Sequence, residues 1–177
     1  MNNRSKFRDR LLLASLAHVA ENGWVESAFT AGAVKLGGEK VLIQRFFPGG
    51  PRELAIHFSD WADRRMEKTL LQEDLGALKL RKRVLLAMRV RFQGLAQYRD
   101  AVRSSISFFM LPQNAFFGIS CMFTTVDKIW YTVGDESTDF SYYTKRAILA
   151  GLASAATLYW LNDRSDGFKD TWNFIDR

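Results

Sequence analysis

Cysteine, histidine and proline are scarce in this sequence of 177 residues, which has one cysteine, two histidines and three prolines. Because Cys121 is the only thiol, the chain can form neither an intrachain disulfide nor a zinc site built from several cysteines. A reducing compartment fits this composition. The first ten residues, MNNRSKFRDR, also lack the uninterrupted apolar core that a secretory signal peptide has.

Motifs of common catalytic sites are missing as well. The sequence contains no HExxH, no G-x-S-x-G, no phosphate-binding GxxxxGK(S/T) and no paired Glu-x-x-His motifs of a di-iron site. His18 and His57 lie far apart in sequence, and the acidic residues between 127 and 139 stand where carboxylates usually cap helices. The sequence therefore predicts no catalytic residue, no metal site and no cofactor. A helical enzyme of an unrecognised type is kept as a distant alternative.

Composition and charge indicate one globular domain with an uneven distribution of basic residues. The chain is 47% hydrophobic and 14% aromatic, enough to build a sizeable core. Its formal charge of +6 is concentrated early, because residues 54–104 hold eleven basic and six acidic residues, whereas residues 105–177 hold six and eight. We expect any anionic partner to meet the first two thirds of the chain.

Apolar periodicity and the positions of glycine and proline predict an all-α fold, a single domain over residues 1–177. Few strand signals compete with it. The predicted helices cover residues 5–21, 27–36, 39–46, 51–74, 77–97, 99–110, 114–133, 138–161 and 167–176. Within this domain, residues 77–177 are expected to hold the lipid-binding and partner-binding helices.

Residues 24–58 predict a helix-turn-helix segment that resembles the amino-terminal module of TetR-type regulators. The helix that would enter the DNA groove, Glu39 to Phe46, offers few polar side chains to base edges. The net charge of residues 1–53 is also modest for phosphate binding. DNA is therefore not expected as a partner, and a TetR-like repressor with a hydrophobic effector is the main alternative function.

An uncharged run of 23 residues, Ser104 to Val126, is long enough to cross a membrane. Pro112, Gln113 and Asn114 interrupt it, which favours two shorter buried helices that meet at Pro112. The apolar stripe of the second helix is either ordinary core or the wall of a cavity facing the small-residue helix 147–161. If a lipid cavity forms, its predicted wall residues are Phe108, Met110, Leu111, Phe116, Ile119, Met122, Phe123, Leu152 and Trp160.

The segment GDESTDFSYYTKRA, residues 134–147, carries aromatic and charged side chains at the start of a helix. At about 100° per residue, Asp139, Tyr142, Tyr143 and Arg146 fall on one face of that helix. Such a face suits a protein-binding surface, to which Asp127 and Trp130 of the preceding helix would contribute. The alternative is structural: Arg146 would pair with Asp139 or Asp127 only to close the helix junction.

Several motifs resemble the coenzyme Q (ubiquinone) biosynthesis protein nine family. They are MLPQN, DKIW, GDESTDFSYYTKR and DTWNF, and the resemblance extends to AENGW near the start of the chain. It implies a TetR-like homodimer that binds isoprenoid quinone or phospholipid at a membrane surface. Its partner would be the demethoxyubiquinone hydroxylase, which it would supply with quinone. The matching partner surface comprises Asp127, Asp139, Tyr142, Tyr143 and Arg146. The protein would lie peripherally on the cytoplasmic side of a bacterial membrane or the matrix side of the mitochondrial inner membrane.

Overall fold

The computed structural model describes residues 3–37, 40–135 and 140–177. Within these ranges the regular secondary structure is helical. The α-helices are α1 (Asn3–Asn22), α2 (Glu26–Lys35), α3 (Lys40–Phe46), α4 (Gly50–Leu70), α5 (Leu80–Leu95), α6 (Arg99–Phe109), α7 (Pro112–Thr132), α8 (Phe140–Asn162) and α9 (Lys169–Asp176). Single 3₁₀ turns lie at Leu75–Ala77, Ala96–Tyr98 and Asp166–Phe168.

The predicted helices agree with this order, with one clear difference between α4 and α5. Helix α4 ends at Leu70, four residues before the predicted end, and α5 begins at Leu80. The intervening residues form tight turns in which the amides of Gln72 and Glu73 bond carbonyls three residues earlier. Gly76 lies in the 3₁₀ turn of this connection, where its low helix propensity favours a break.

The chain divides into two compact units, each built from two separate segments. Unit 1 comprises Met1–Trp61 and Gln97–Cys121, and unit 2 comprises Ala62–Ala96 and Met122–Arg177. The single-domain boundary of 1–177 stays a prediction.

In unit 1, α1 and α2 pack at unusually close range. Gly32 of α2 lies against Ser15 of α1, and a Cβ atom added to Gly32 would collide with both the side chain and the backbone of Ser15. Ser15 is buried and its hydroxyl bonds the carbonyl of Leu11 at 2.8 Å, so its polar group is satisfied inside its own helix. Only glycine allows this approach. The fully buried residues Leu11, Leu12 and Phe29 pack in the core of this unit.

A tight turn joins α6 and α7 in unit 1. The buried amide of Asn114 donates from Nδ2 to the carbonyl of Phe108 at 3.1 Å and thereby ties the start of α7 to the end of α6. Farther along α7, a Cβ atom on Gly118 would lie 2.7 Å from Cβ of Phe109, so the two helices touch there. The predicted pair of helices at Pro112 is confirmed. None of the described helices is both long and apolar enough to cross a membrane.

A buried carboxylate connects three helices of unit 2. Asp63 of α4 accepts hydrogen bonds from Nε of Arg91 on α5 at 2.8 Å and from the hydroxyl of Thr125 on α7 at 3.0 Å. Nζ of Lys128 lies 4.0 Å from the same carboxylate. We call Asp63, Arg91, Thr125 and Lys128 the Asp63 cluster. Because a buried charge is costly unless it is paired, this cluster fixes how α4, α5 and α7 align.

A second buried carboxylate, Asp163, joins the end of α8 to the start of α9. Its Oδ1 accepts from the amide and hydroxyl of Ser165 at 2.7 and 2.6 Å, and its Oδ2 accepts from the amide and hydroxyl of Thr171 at 2.9 and 2.6 Å. Burial acts to raise the pKa of Asp163, but these four hydrogen bonds outweigh it and hold the pKa at about 2.

We expect Asp163→Asn to lower the free energy of unfolding by about 2 kcal/mol at neutral pH, because the native pKa lies below the ordinary aspartate pKa of 3.8. The carboxylate stabilises the folded state fully above the unfolded pKa and loses this effect as pH falls through the native value. Urea unfolding of both proteins as a function of pH measures the difference, which should shrink between about pH 4 and pH 2. A difference that does not depend on pH would contradict this account.

Candidate partner and lipid-binding surfaces

The α7–α8 junction of unit 2 brings together most of the predicted partner-binding residues. We call Asp127, Tyr142, Tyr143 and Arg146 the junction face. Asp127 lies on α7 and the other three lie on α8. Asp139 falls outside the described residues.

An ion pair closes the centre of the junction face. Two nitrogens of Arg146, Nε and one terminal nitrogen, lie 2.8 and 2.7 Å from Oδ1 of Asp127. The guanidinium carbon also lies 3.3 Å from the ring centroid of Tyr142, whose hydroxyl donates to the same carboxylate oxygen at 3.3 Å. Arg146 is thus the centre of the face, held by a carboxylate and an aromatic ring.

Exposure differs strongly across the junction face. The side chain of Arg146 is only 12% exposed, whereas that of Asp127 is 54% exposed. Tyr143 is 72% exposed and contacts Tyr142 edge to face, with ring centroids 5.1 Å apart. Arg146 therefore forms the ion pair with Asp127 that the structural interpretation predicted as one of two possibilities. The aromatic side chain of Tyr143, which contacts Tyr142, faces solvent.

Trp130 lies next to the junction face but is half-buried. Lys145 covers it, with Nζ 5.6 Å from the ring centroid, and the same Nζ lies 2.8 Å from Oδ1 of Asp135. None of the described residues accepts a hydrogen bond from Nε1 of Trp130. Two residues near the junction face were not predicted: Lys145 and Tyr131, an 82% exposed residue four positions after Asp127. The signal for Tyr131 was available, because residues four apart are neighbours on a helix surface.

The predicted lipid-binding residues fall into three environments. Met110, Leu111, Phe116 and Ile119 of unit 1 are exposed, Met110 and Phe116 to 76% and 75%. We call these four residues the exposed apolar segment. Phe108 is half-buried against Phe109, and in unit 2 Met122 and Leu152 are half-buried while Phe123 is exposed. Trp160 is fully buried against Phe92 and Phe168. The helices that meet at Pro112 were predicted to be buried, and this prediction is wrong for Met110, Leu111, Phe116 and Ile119. Trp160 offers no surface to a ligand in this arrangement.

The turn between α6 and α7 explains why the exposed apolar segment faces outward. Gly118 directs one side of α7 toward Phe109, and Asn114 is buried at the turn. Phe116 lies two residues from Gly118, about 200° around the helix, and therefore points away from that contact.

Within the described part of the chain, no group of His, Cys, Asp and Glu side chains has an arrangement that could hold a metal ion.

Comparison with known proteins identifies the relatives of this chain. Residues 116–177 match the model of the COQ9 family. The ubiquinone biosynthesis protein COQ9, mitochondrial, of Rattus norvegicus is 33% identical over 181 residues, covering 98% of this chain, and its Homo sapiens counterpart is 32% identical over the same span. The chain is therefore similar to these COQ9 proteins over nearly its whole length. It spans 58% and 57% of the length of these two relatives.

The COQ9 match covers all of the junction face and all of α7 except its first four residues, because it begins at residue 116. Among solved structures, a TetR transcriptional regulator from Nitrosomonas europaea superposes with a TM-score of 0.78 at 18% identity, covering 97% of this chain and 95% of the regulator. The predicted all-α, TetR-like fold is confirmed.

Proposed function

We propose that this chain is a non-catalytic accessory protein of ubiquinone biosynthesis, which binds isoprenoid quinone intermediates and presents them to the demethoxyubiquinone hydroxylase. The observation that carries the lipid-binding part is the exposed apolar segment, where Met110 and Phe116 leave three quarters of their surface in water. Similarity to the COQ9 proteins, named for ubiquinone biosynthesis, supports the pathway. The protein acts peripherally at a membrane, on the cytoplasmic side in a bacterium or the matrix side in a mitochondrion.

Lipid binding follows from the energetics of these side chains. Burying a large apolar side chain contributes about 1.5 to 3 kcal/mol, so covering Phe116 and Ile119 with an isoprenoid chain would be strongly favourable. Methionine also adapts to a flexible ligand, because its unbranched side chain has three rotatable bonds, and phenylalanine adds a large apolar surface. An isoprenoid or phospholipid is the expected ligand.

We expect purified protein to release an isoprenoid or phospholipid on organic extraction, identified by mass spectrometry. Phe116→Ser should reduce the retained lipid severalfold, because it removes the most exposed ring of the exposed apolar segment. Val34→Ser is the matched control, since Val34 is an apolar residue of unit 1 that is 66% exposed on α2. Equal lipid content in both variants, or no extractable lipid in the parent protein, would overturn lipid binding at this segment.

The same preparation distinguishes the repressor alternative. Salt-dependent binding of duplex DNA with about tenfold or greater preference for one sequence would move the function to transcriptional control. If the proposed function is correct, the protein binds no DNA or binds it without sequence preference.

We also propose a homodimer formed through α8. This helix exposes Ile148 and Leu158 together with the small residues Ala147, Gly151 and Ala155, which allow a second helix to approach closely. Light scattering is expected to give twice the chain mass of 20.3 kDa at micromolar concentration. A monomer under these conditions would remove this part of the proposal.

A further inference from the structure

A groove of about 310 Å³ lies between α5 and α9 in unit 2. The lining residues that α5 contributes recur every three or four positions, so they form one face of that helix. The apolar lining residues are Leu78, Leu85, Leu86, Trp172 and Ile175, and the charged ones are Lys82, Arg89 and Asp176. Leu85 and Leu86 are half-buried, so they offer apolar surface at the mouth of the groove.

Three basic side chains lie in or beside this groove, and one of them contacts the carboxylate of Asp176. Nζ of Lys82 lies 3.0 Å from Oδ1 of Asp176, and a terminal nitrogen of Arg81 donates to the Asp176 carbonyl at 2.6 Å. Arg89 lies over the ring of Trp172, 5.0 Å from its centroid. The pKa of Asp176 is lowered by its hydrogen bond from Lys82 and by the positive charges of Lys82, Arg81 and Arg89. Among the lining residues, two basic side chains, Lys82 and Arg89, stand against one carboxylate, Asp176.

The start of α5 adds to this excess of positive charge. Its first turn contains no acidic residue and no side chain caps its amides. Cations at a helix N-terminus are disfavoured by the helix dipole, so Arg81 and Lys82 lie where an anion would be stabilising. Arg83 differs, because it bonds the carbonyls of Leu78 and Val133 and is used within the fold.

We propose that the α5–α9 groove docks the protein on membranes by binding the headgroups of anionic phospholipids. A phosphate would lie beside Lys82 and Arg89, and the upper part of an acyl chain would contact Leu85 and Leu86. Basic amphipathic helices with neighbouring tryptophan are suited to the boundary between headgroups and acyl chains. A small soluble phosphate would use the cations but not the apolar walls, which favours a lipid. This inference rests on the peripheral membrane contact of the proposed function and names the surface that makes it, although nothing in the groove requires quinone.

Vesicles without quinone test this site. Flotation with phosphatidylcholine alone and with added phosphatidylglycerol gives a partition coefficient for each membrane. We expect binding only to the anionic vesicles, and the double variant Lys82→Gln/Arg89→Gln should lower the partition coefficient about thirtyfold, since each basic residue near such a surface contributes about fivefold. Lys68→Gln/Arg164→Gln is the matched control, because both residues are exposed in unit 2 and neither lines the groove.

Asp176→Asn separates docking from a purely structural role. Removing the only carboxylate of the groove should raise binding to anionic vesicles by about fivefold, whereas loss of a structural ion pair would not. Equal binding by the groove variant and its control would overturn the proposal. So would saturable binding of inorganic phosphate without vesicle binding, which would identify a soluble ligand. Retained quinone in a groove variant that still binds anionic vesicles as well as the parent protein would overturn only this inference, not the proposed function.

Discussion

Replacing Asp63 with Ala is expected to lower the free energy of unfolding by about 3 to 5 kcal/mol, the largest effect of any single substitution considered. The carboxylate is 1% exposed and accepts from Arg91 and Thr125, so its removal leaves a largely buried guanidinium without its 2.8 Å ion pair. Chemical denaturation followed by circular dichroism measures the loss.

Two further proteins test the origin of this effect. Asp166→Ala removes a carboxylate that is 97% exposed and whose pair with Lys169 spans 3.8 Å, so it should cost no more than about 1 kcal/mol. Replacing both partners, in Asp63→Leu/Arg91→Met, should recover part of the stability lost in Asp63→Ala, because it also removes the guanidinium that Asp63→Ala leaves without its ion pair. If Asp63→Ala and Asp166→Ala were equally stable, the Asp63 cluster would not hold the three helices.

Tyr143→Ala is expected to weaken association with the demethoxyubiquinone hydroxylase by about 2 kcal/mol, roughly thirtyfold in Kd, while leaving stability unchanged. Tyr143 is exposed and its ring contacts Tyr142, which packs against the guanidinium of Arg146, so the proposed interface has an exposed aromatic anchor close to a charged group. Calorimetry with the purified hydroxylase measures the binding. Leu71→Ala is the control, since Leu71 is a comparably exposed apolar residue of unit 2.

The ion pair needs a different test, because Arg146 is mostly buried and its loss would disturb folding as well as binding. Exchanging the charges in Asp127→Arg/Arg146→Asp keeps a pair across the α7–α8 junction but reverses its polarity. A structural pair would tolerate this exchange, whereas a docking surface would lose its charge complementarity. Hydroxylase binding that survives both Tyr143→Ala and the exchange would rule out the junction face as the partner site.

The Asp63 cluster and the junction face also depend on each other physically. Thr125 and Lys128 of the cluster flank Asp127 on α7 in sequence. Fixing α7 against α4 and α5 therefore fixes the position from which Asp127 meets Arg146. Helix α7 therefore contributes both to the stability of the interior of unit 2 and to the geometry of the junction face on its surface.

Sequence periodicity located the helices well but could not decide which apolar faces are covered. The stripe on α7 includes Phe116, which is 75% exposed, and Val126, which is buried. Apolar residues recur at helical spacing around both positions, so periodicity cannot distinguish them. A helical repeat shows which side chains share a face and says nothing of what packs on that face. The prediction of buried helices at Pro112 failed for this reason, and the burial of Trp160 could not be anticipated either.

Contacts distant in sequence were the other limit. The spacing of Tyr142, Tyr143 and Arg146 predicted the junction face. Asp127, which pairs with Arg146, was one of the two acidic partners predicted for it. The Asp63 cluster was not foreseen, because Asp63 and Thr125 are 62 residues apart and each resembles an ordinary polar helix residue by itself. Only the packing of three helices gives these side chains a common role.

The contact between Gly118 and Phe109 has a consequence for how homologous sequences can vary. A Cβ atom at position 118 would approach Cβ of Phe109 to 2.7 Å, a separation that carbon atoms do not tolerate. A homologue that replaces this glycine must therefore reduce the side chain at the position of Phe109 or move the two helices apart. The two positions are expected to co-vary, and a homologue that breaks the pairing should present Phe116 and Ile119 at a different angle.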